Sequence, residues 1–391
     1  MYMKKMIIIS FTLIIIISML PAGGNGEDPA PRTSSQPSPY SGLFARGEFS
    51  TDYNRYIDFS GEIMSGGVGK DGIPAIDNPR FNSTSEADRI LAEEEPVLVA
   101  TLENTSKIYP LRILMWHEIV NDTLTDTPIA VTYCPLCNTG IGFNREVEGR
   151  TLDFGTTGRL RYSNLIMYDR QTETWWQQAT GRALIGRFAG KELELIPILN
   201  VSWGDAKESH PEAQVLSPET GYNRPYGENP YVGYDDLRTD PFLYQGPAPP
   251  DEHRPLERAL VVHVDDETEV YPYSTLETLG VLNDEISGTP ITVFWQKGTA
   301  SALDASAIPA GRDVGSANAF SPIVDEKKLT FTLEDGSIID SQTGSEWNIL
   351  GEAVDGPLKG ASLEPYVGIQ NFWFSAYAFQ PQAEFFSAGE E

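Results

Sequence analysis

SKIYPLRILMWHEIVNDTLTDTPIAV, residues 106–131, lies over TEVYPYSTLETLGVLNDEISGTPITV, residues 268–293, at a constant offset of 162. Tyr109, Pro110, Leu114, Asn121, Asp122, Thr127, Pro128, Ile129 and Val131 recur as Tyr271, Pro272, Leu276, Asn283, Asp284, Thr289, Pro290, Ile291 and Val293. The match resumes downstream. Asp169, Gln171, Thr172 and Trp176 correspond to Asp340, Gln342, Thr343 and Trp347, and Trp203, Ala206 and Pro211 to Trp373, Ala376 and Pro381. Self-similarity at a fixed period predicts two lobes related by internal duplication.

The content of each lobe follows from pattern. VLVATL at 97–102 and IAVTYC at 129–134 are short, apolar and β-branched, which predicts buried strands. PLRILMWHEIVND at 110–122 predicts a helix, with Pro110 in its first turn and Leu111, Leu114, Met115 and Ile119 on a helical spacing. GIGFNREV, TLDFGTTG and LIMYDR predict further strands, with a tight polar turn inside MYDRQTETWW. The fold class is therefore α+β, mostly antiparallel β. The expected division is a first lobe at 41–213, a Tyr/Pro/Gly-rich connection at 214–258 and a second lobe at 259–391. The connection's Pro and Gly predict irregular backbone, and its aromatics predict that it packs on the lobes.

The N-terminus reads as an address. Lys4 and Lys5 precede the 15-residue apolar run MIIISFTLIIIISML and the breakers Pro21, Ala22, Gly23 and Gly24. That layout predicts a signal peptide at 1–24, an exported protein and no transmembrane span after cleavage, with an uncleaved anchor as the alternative. A Pro/Ser-rich, disordered lead-in is expected at 25–40. The 391 residues carry 28 Lys plus Arg against 56 Asp plus Glu, a net charge of −28. Such acidity argues against a nucleic-acid partner, which needs clustered cations. GGVGKDG lacks the strand and helix context of a phosphate loop, so no nucleotide cofactor is expected.

Residues lost from one half are the candidates for function. His117 lies over Leu279, Cys134 over Gln296, Cys137 over Thr299 and His210 over Gln380. Cys134 and Cys137, in CPLC, are the chain's only cysteines. One vicinal pair closes a tiny loop and staples little. A Cys-x-x-Cys turn can instead clasp an ion, and a four-cysteine zinc site is excluded by count. The candidate ligands are Cys134, Cys137 and His117, with His210, Met115 and Met167 as further candidates, and packing as the bland reading of the Met and His residues. Soft sulfur favours Cu(I), and Cys/His/carboxylate suits Zn(II), so the order is copper before zinc. The rival is a redox dithiol or disulfide, opposed by the absence of a helix starting at the first cysteine. A structural knuckle is the third reading. Nucleophilic catalysis by a cysteine with His117 and Glu118 is disfavoured, because adjacent helical residues point apart. Asp71 and Asp77 in DGIPAIDNPRF read as turn-stabilising aspartates.

Taken in order, DGIPAIDNPRF, IYPLRILMWHEIVND, VTYCPLCNTGIGFNR, LIMYDRQTETWW, SHPEAQVLS and GYNRPYGENPYVGYDD resemble the bacterial and archaeal family called domain of unknown function 3179. The resemblance covers about residues 68–380. It implies that Trp116 to Glu118, the CPLC pair, the turn from Asp169 to Thr172 and His210-Pro211 belong to a family pattern, and it supplies no activity. The family form has Gly where Asn138 stands, and Asn tolerates the same left-handed turn. The expected function is an exported metal-binding carrier or redox protein with a redox or metal-delivery partner, the alternatives being a thiol–disulfide oxidoreductase and a scaffold.

Overall fold

Short apolar segments separated by polar turns fold here as antiparallel pairs, which satisfy their backbone groups locally. The computed structural model describes residues 32–33, 39–40 and 47–387. The expected signal segment at 1–24 lies outside the described residues. Arg32–Thr33 pairs with Arg55–Tyr56, and Tyr40 stacks on Phe59 at 4.8 Å between ring centroids.

The first half runs β1 (Pro96–Leu102), β2 (Thr105–Pro110), α1 (Leu111–His117), β3 (Ile119–Leu124), β4 (Thr127–Cys134), β5 (Thr139–Asn144), β6 (Phe154–Arg161), β7 (Asn164–Asp169), β8 (Trp175–Gln177), β9 (Ala183–Ile185), β10 (Ile198–Ser202), α2 (Trp203–Ser209) and β11 (Gln214–Leu216). The second runs β12 (Arg258–Val264), β13 (Glu267–Pro272), α3 (Tyr273–Leu279), β14 (Val281–Ile286), β15 (Thr289–Gln296), β16 (Ser316–Phe320), β17 (Phe331–Glu334), β18 (Ser337–Asp340), β19 (Glu346–Trp347), β20 (Ala353–Asp355), β21 (Val367–Phe372), α4 (Trp373–Phe379) and β22 (Glu384–Phe385). Strand orders β10-β1-β2-β11, β3-β4-β5 and β6-β7-β8-β9 in the first half face β21-β12-β13-β22, β14-β15-β16 and β17-β18-β19-β20 in the second. Pairings are antiparallel except β2 with β11 and β13 with β22. The mostly antiparallel α+β class is as expected.

The helix expected at 110–122 is shorter. It ends at His117, Glu118 turns left-handed at φ 58°, and Ile119–Leu124 becomes a strand with Ile119 opposite Thr132. β-branched Ile119 and Val120 suit a strand better than a helix interior, so tertiary pairing overrides the helical spacing.

Residues shared by the halves hold the fold. Asn121 exchanges two 2.8 Å hydrogen bonds with the Phe154 backbone, and Asn283 does the same with Phe331 at 2.8 and 2.9 Å. Asp169 accepts from the Thr172 amide and hydroxyl, the Thr174 amide and the Trp176 indole. Asp340 accepts from the corresponding groups of Thr343, Ser345 and Trp347. Each carboxylate thus satisfies a turn and a buried indole together.

The apolar core is not divided between the halves. One cluster joins Tyr133, Cys134, Cys137 and Phe143 to Val261, Phe372, Trp373 and Phe374; another joins Val97 and Trp203 to Phe294 and Trp347. Burying side chains of this size contributes roughly 2–3 kcal/mol each. The connection packs as a strap. Its buried Asp235 takes Arg258 at 3.0 Å, Arg312 at 2.8 Å and Ser301 at 2.6 Å, and Tyr244 packs on Phe374. No helix among the described residues is long and apolar enough to cross a membrane.

Candidate functional site

Strand β4 delivers Cys134 at its end, and a tight turn returns the chain as β5. The Cys137 amide donates to the Cys134 carbonyl and the Asn138 amide to Pro135, both at 3.2 Å. Asn138 takes the left-handed position at φ 52°, and its side-chain oxygen accepts from Tyr133. The turn sets both thiols on one tight reversal, and Cys134 Sγ donates to the Ser163 carbonyl at 3.8 Å. Both cysteines are free and buried, at 1% and 0% exposure. Burial pushes the Cys134 thiol well above its ordinary value, Cys137 adds to the rise, and the backbone of Leu165 and Cys137 works against it.

The strap and the second half close over this turn. Tyr234 Oη donates to the Leu136 carbonyl at 2.9 Å, and the Ser163 hydroxyl donates to the Phe242 carbonyl. The Phe372 amide donates to the Cys137 carbonyl at 2.9 Å, and Thr139 Oγ1 to Asn371 at 3.0 Å. Burial raises the Tyr231 phenol, with Glu118 and Cys134 adding to it, and burial together with Cys137 raises Tyr234. Glu118, the residue rejected as a partner for His117, is thus beside Cys134. Burial pushes its carboxyl well up and Cys134 adds to that.

His117 goes elsewhere. Its Nδ1 is 2.7 Å from the Pro74 carbonyl and its Nε2 is 2.6 Å from Tyr226 Oη. A carbonyl only accepts, so Nδ1 carries the proton and Nε2 accepts from Tyr226. Thr220 Oγ1 lies 2.5 Å beyond Tyr226 Oη. Burial lowers the His117 pKa, the Pro74 bond opposes that, and Arg224 lowers it further. Among the described residues no three of His, Cys, Asp and Glu come together to hold an ion, so the set Cys134, Cys137 and His117 is not assembled. The left-handed turn at Glu118 sends neighbouring side chains to different places. His210, at the end of α2, has Nδ1 3.9 Å from Glu352 Oε1 of the second half. Met167 is fully buried on β7, opposite Thr156 and Trp176, in the same apolar cluster as the cysteines, and Met115 is also buried in that cluster.

Beyond the His117 ring, a cleft of about 730 Å³ is lined by Lys70, Asp71, Asp77, Arg170, Tyr222 and Arg224, among others. Asp71 and Asp77 do stabilise local structure: Asp71 accepts from Tyr168, and Asp77 accepts from Asn121 and Arg170. The cleft was not legible in any one motif. Its lining comes from DGIPAIDNPRF, the turn after Asp169 and GYNRPYG, which lie far apart in the chain.

No curated protein and no solved structure matches the chain. The family model described as "Protein of unknown function (DUF3179)" matches residues 70–383, and the chain belongs to that family.

Proposed function

We propose that Cys134 and Cys137 hold one Cu(I) ion as paired thiolates, making the protein an exported copper carrier or redox module. The observation that carries this reading is the pair of free, buried cysteines set on one tight turn. Thiolates favour Cu(I), which is content with two ligands, whereas zinc wants four. Binding breaks two S–H bonds and forms two Cu–S bonds, and both protons leave to solvent. Affinity therefore climbs with pH, and the raised Cys134 thiol extends the climb into the alkaline range.

The second reading is a dithiol that loses two protons and two electrons to a partner disulfide, and the pairing of two free cysteines on one turn favours it. Burial of both sulfurs and the raised Cys134 thiol slow exchange, which puts copper first. The test is copper and zinc per chain after reduced protein is offered each ion, wild type beside Cys134→Ser, with circular dichroism to show that the variant is folded. One copper per wild-type chain and none in folded Cys134→Ser is expected, with His117→Ala keeping its copper. No copper in wild type, or copper retained by Cys134→Ser, overturns the assignment. Reversible oxidation of copper-free protein by oxidised glutathione would then favour the dithiol.

A further inference from the structure

The cleft beyond His117 carries an inference independent of copper. Its carboxylates are already engaged: Asp71 by Tyr168, Asp77 by Asn121 and Arg170, and Glu173 by Ser50 and Lys70. Two of its three cations are engaged by the same groups, Lys70 with Glu173 and Arg170 with Asp77. Arg224 is different. It lines the cleft, lies 5.9 Å from the Trp116 ring centroid, and has no carboxylate partner among the described residues. Within this cleft it is the cation left without an acid. The strap also sets Tyr222 in the wall, 47% exposed, with its ring tilted on His117 at 5.4 Å.

We infer that this cleft binds a small organic carboxylate with a planar ring, its carboxylate on Arg224 and its ring against Tyr222. The guanidinium fork matches a carboxylate in two parallel hydrogen bonds, and an exposed phenol offers a flat apolar face. A cleft of about 730 Å³ is ample for a molecule of that kind. The engaged aspartates make the selection. Arg170 pairs with Asp77 and stands 4.0 Å from Asp71, which offsets their charge toward an anion on Arg224.

Isothermal titration of the full chain with benzoate, with inorganic phosphate as comparator, tests this. Benzoate is expected to bind wild type and to lose about tenfold or more in Arg224→Gln, which is about 1.4 kcal/mol. Arg224→Lys should recover part of the loss, and Tyr222→Ala should weaken benzoate without changing the response to phosphate. Among the described residues the Arg224 side chain has no ion pair and packs on Trp116, so these variants should fold, and an unchanged melting temperature checks it. No binding of benzoate, undiminished binding in Arg224→Gln, or phosphate binding as tightly as benzoate would each overturn the assignment.

Discussion

The chain leaves α1 and α3 by the same route, yet with different residues. The Glu118 amide reaches the Leu114 carbonyl at 2.7 Å and the Gly280 amide reaches Leu276 at 2.7 Å. The Glu118 and Gly280 carbonyls then accept the Tyr133 and Trp295 amides, each at 2.8 Å. Both residues are left-handed, at φ 58° and 69°. Glycine adopts that conformation freely and glutamate at a cost of about 1 kcal/mol. The backbone is therefore served as well by Gly280, and what distinguishes Glu118 is its side chain beside Cys134. The turns that follow differ in the same way. In the first half two thiols are buried; in the second, Gln296 donates to Asp205 and the Thr299 hydroxyl meets Ser316. Equal backbone with unequal side chains separates what the fold requires from what the site requires.

The largest expected effect breaks that comparison at the sulfur atoms. Cys137→Ser should remove all copper, as Cys134→Ser does, while Thr299→Ser in the second half leaves the copper content unchanged; metal analysis of each purified variant decides. Next come the matched carboxylates. Asp169→Ala and Asp340→Ala each strand a buried indole and three turn donors, and each should cost about 3 kcal/mol in urea unfolding. The two should differ in titration. Burial outweighs the Trp176 and Thr172 bonds and holds Asp169 above the ordinary 3.8; burial also acts on Asp340, but the Thr343 and Trp347 bonds outweigh it and hold it below 3.8. Asp340 thus adds stability above pH 3.8 that is lost as pH falls through its lower folded value. Asp169 subtracts stability as pH rises from 3.8 through its higher one. Carboxyl carbon NMR would show the two titrating on opposite sides of 3.8, and a common value would remove the distinction.

A smaller effect tests the reversals after the helices. A methyl group on Gly280 would come within 2.6 Å of Leu333 Cδ2, so Gly280→Ala should destabilise by roughly 1–2 kcal/mol. Glu118→Gly should stabilise by about 0.5–1 kcal/mol on the same scale, and loss of stability there would mean that the Glu118 side chain holds the fold. The smallest effect concerns a charge reversal. Lys107 is paired with the Asp122 carboxylate at 2.9 Å, whereas Glu269 stands at the matching place, pushed up to about 7 by burial, Asp284 and Glu384 despite a Tyr271 bond. Because the folded value is raised, its ionisation costs stability progressively as pH rises from 4.5 through 7. Glu269→Lys should therefore stabilise at pH 8 by about 1 kcal/mol after allowance for solvent screening, and by less near pH 5. A gain independent of pH would point away from the carboxyl.

Strand content was legible because alternation and turn chemistry act over a few residues. The α1 boundary was misread because Leu111, Leu114, Met115 and Ile119 fit a helical period, while the pairing of Ile119 with Thr132 depends on a strand not yet met. The signal that could have corrected it is Gly280, a helix-ending residue at the place matching Glu118. The CPLC pair was found from its absence in the second half, whereas the contacts of His117 with Pro74 and Tyr226 lie outside any local pattern.

By itself the sequence determined which residues the fold keeps in both halves, that the connection between them would pack rather than float, and that any sulfur chemistry must use Cys134 and Cys137. Only the tertiary structure decided that the cysteines are sealed beneath the strap, that His117 turns to Pro74 and Tyr226, and that a cleft with an unpaired Arg224 lies beside it. The physical reason is separation along the chain. His117 meets a residue 109 positions away, and Thr139 one 232 away. Contacts of that range are selected by packing and desolvation, which local periodicity does not record.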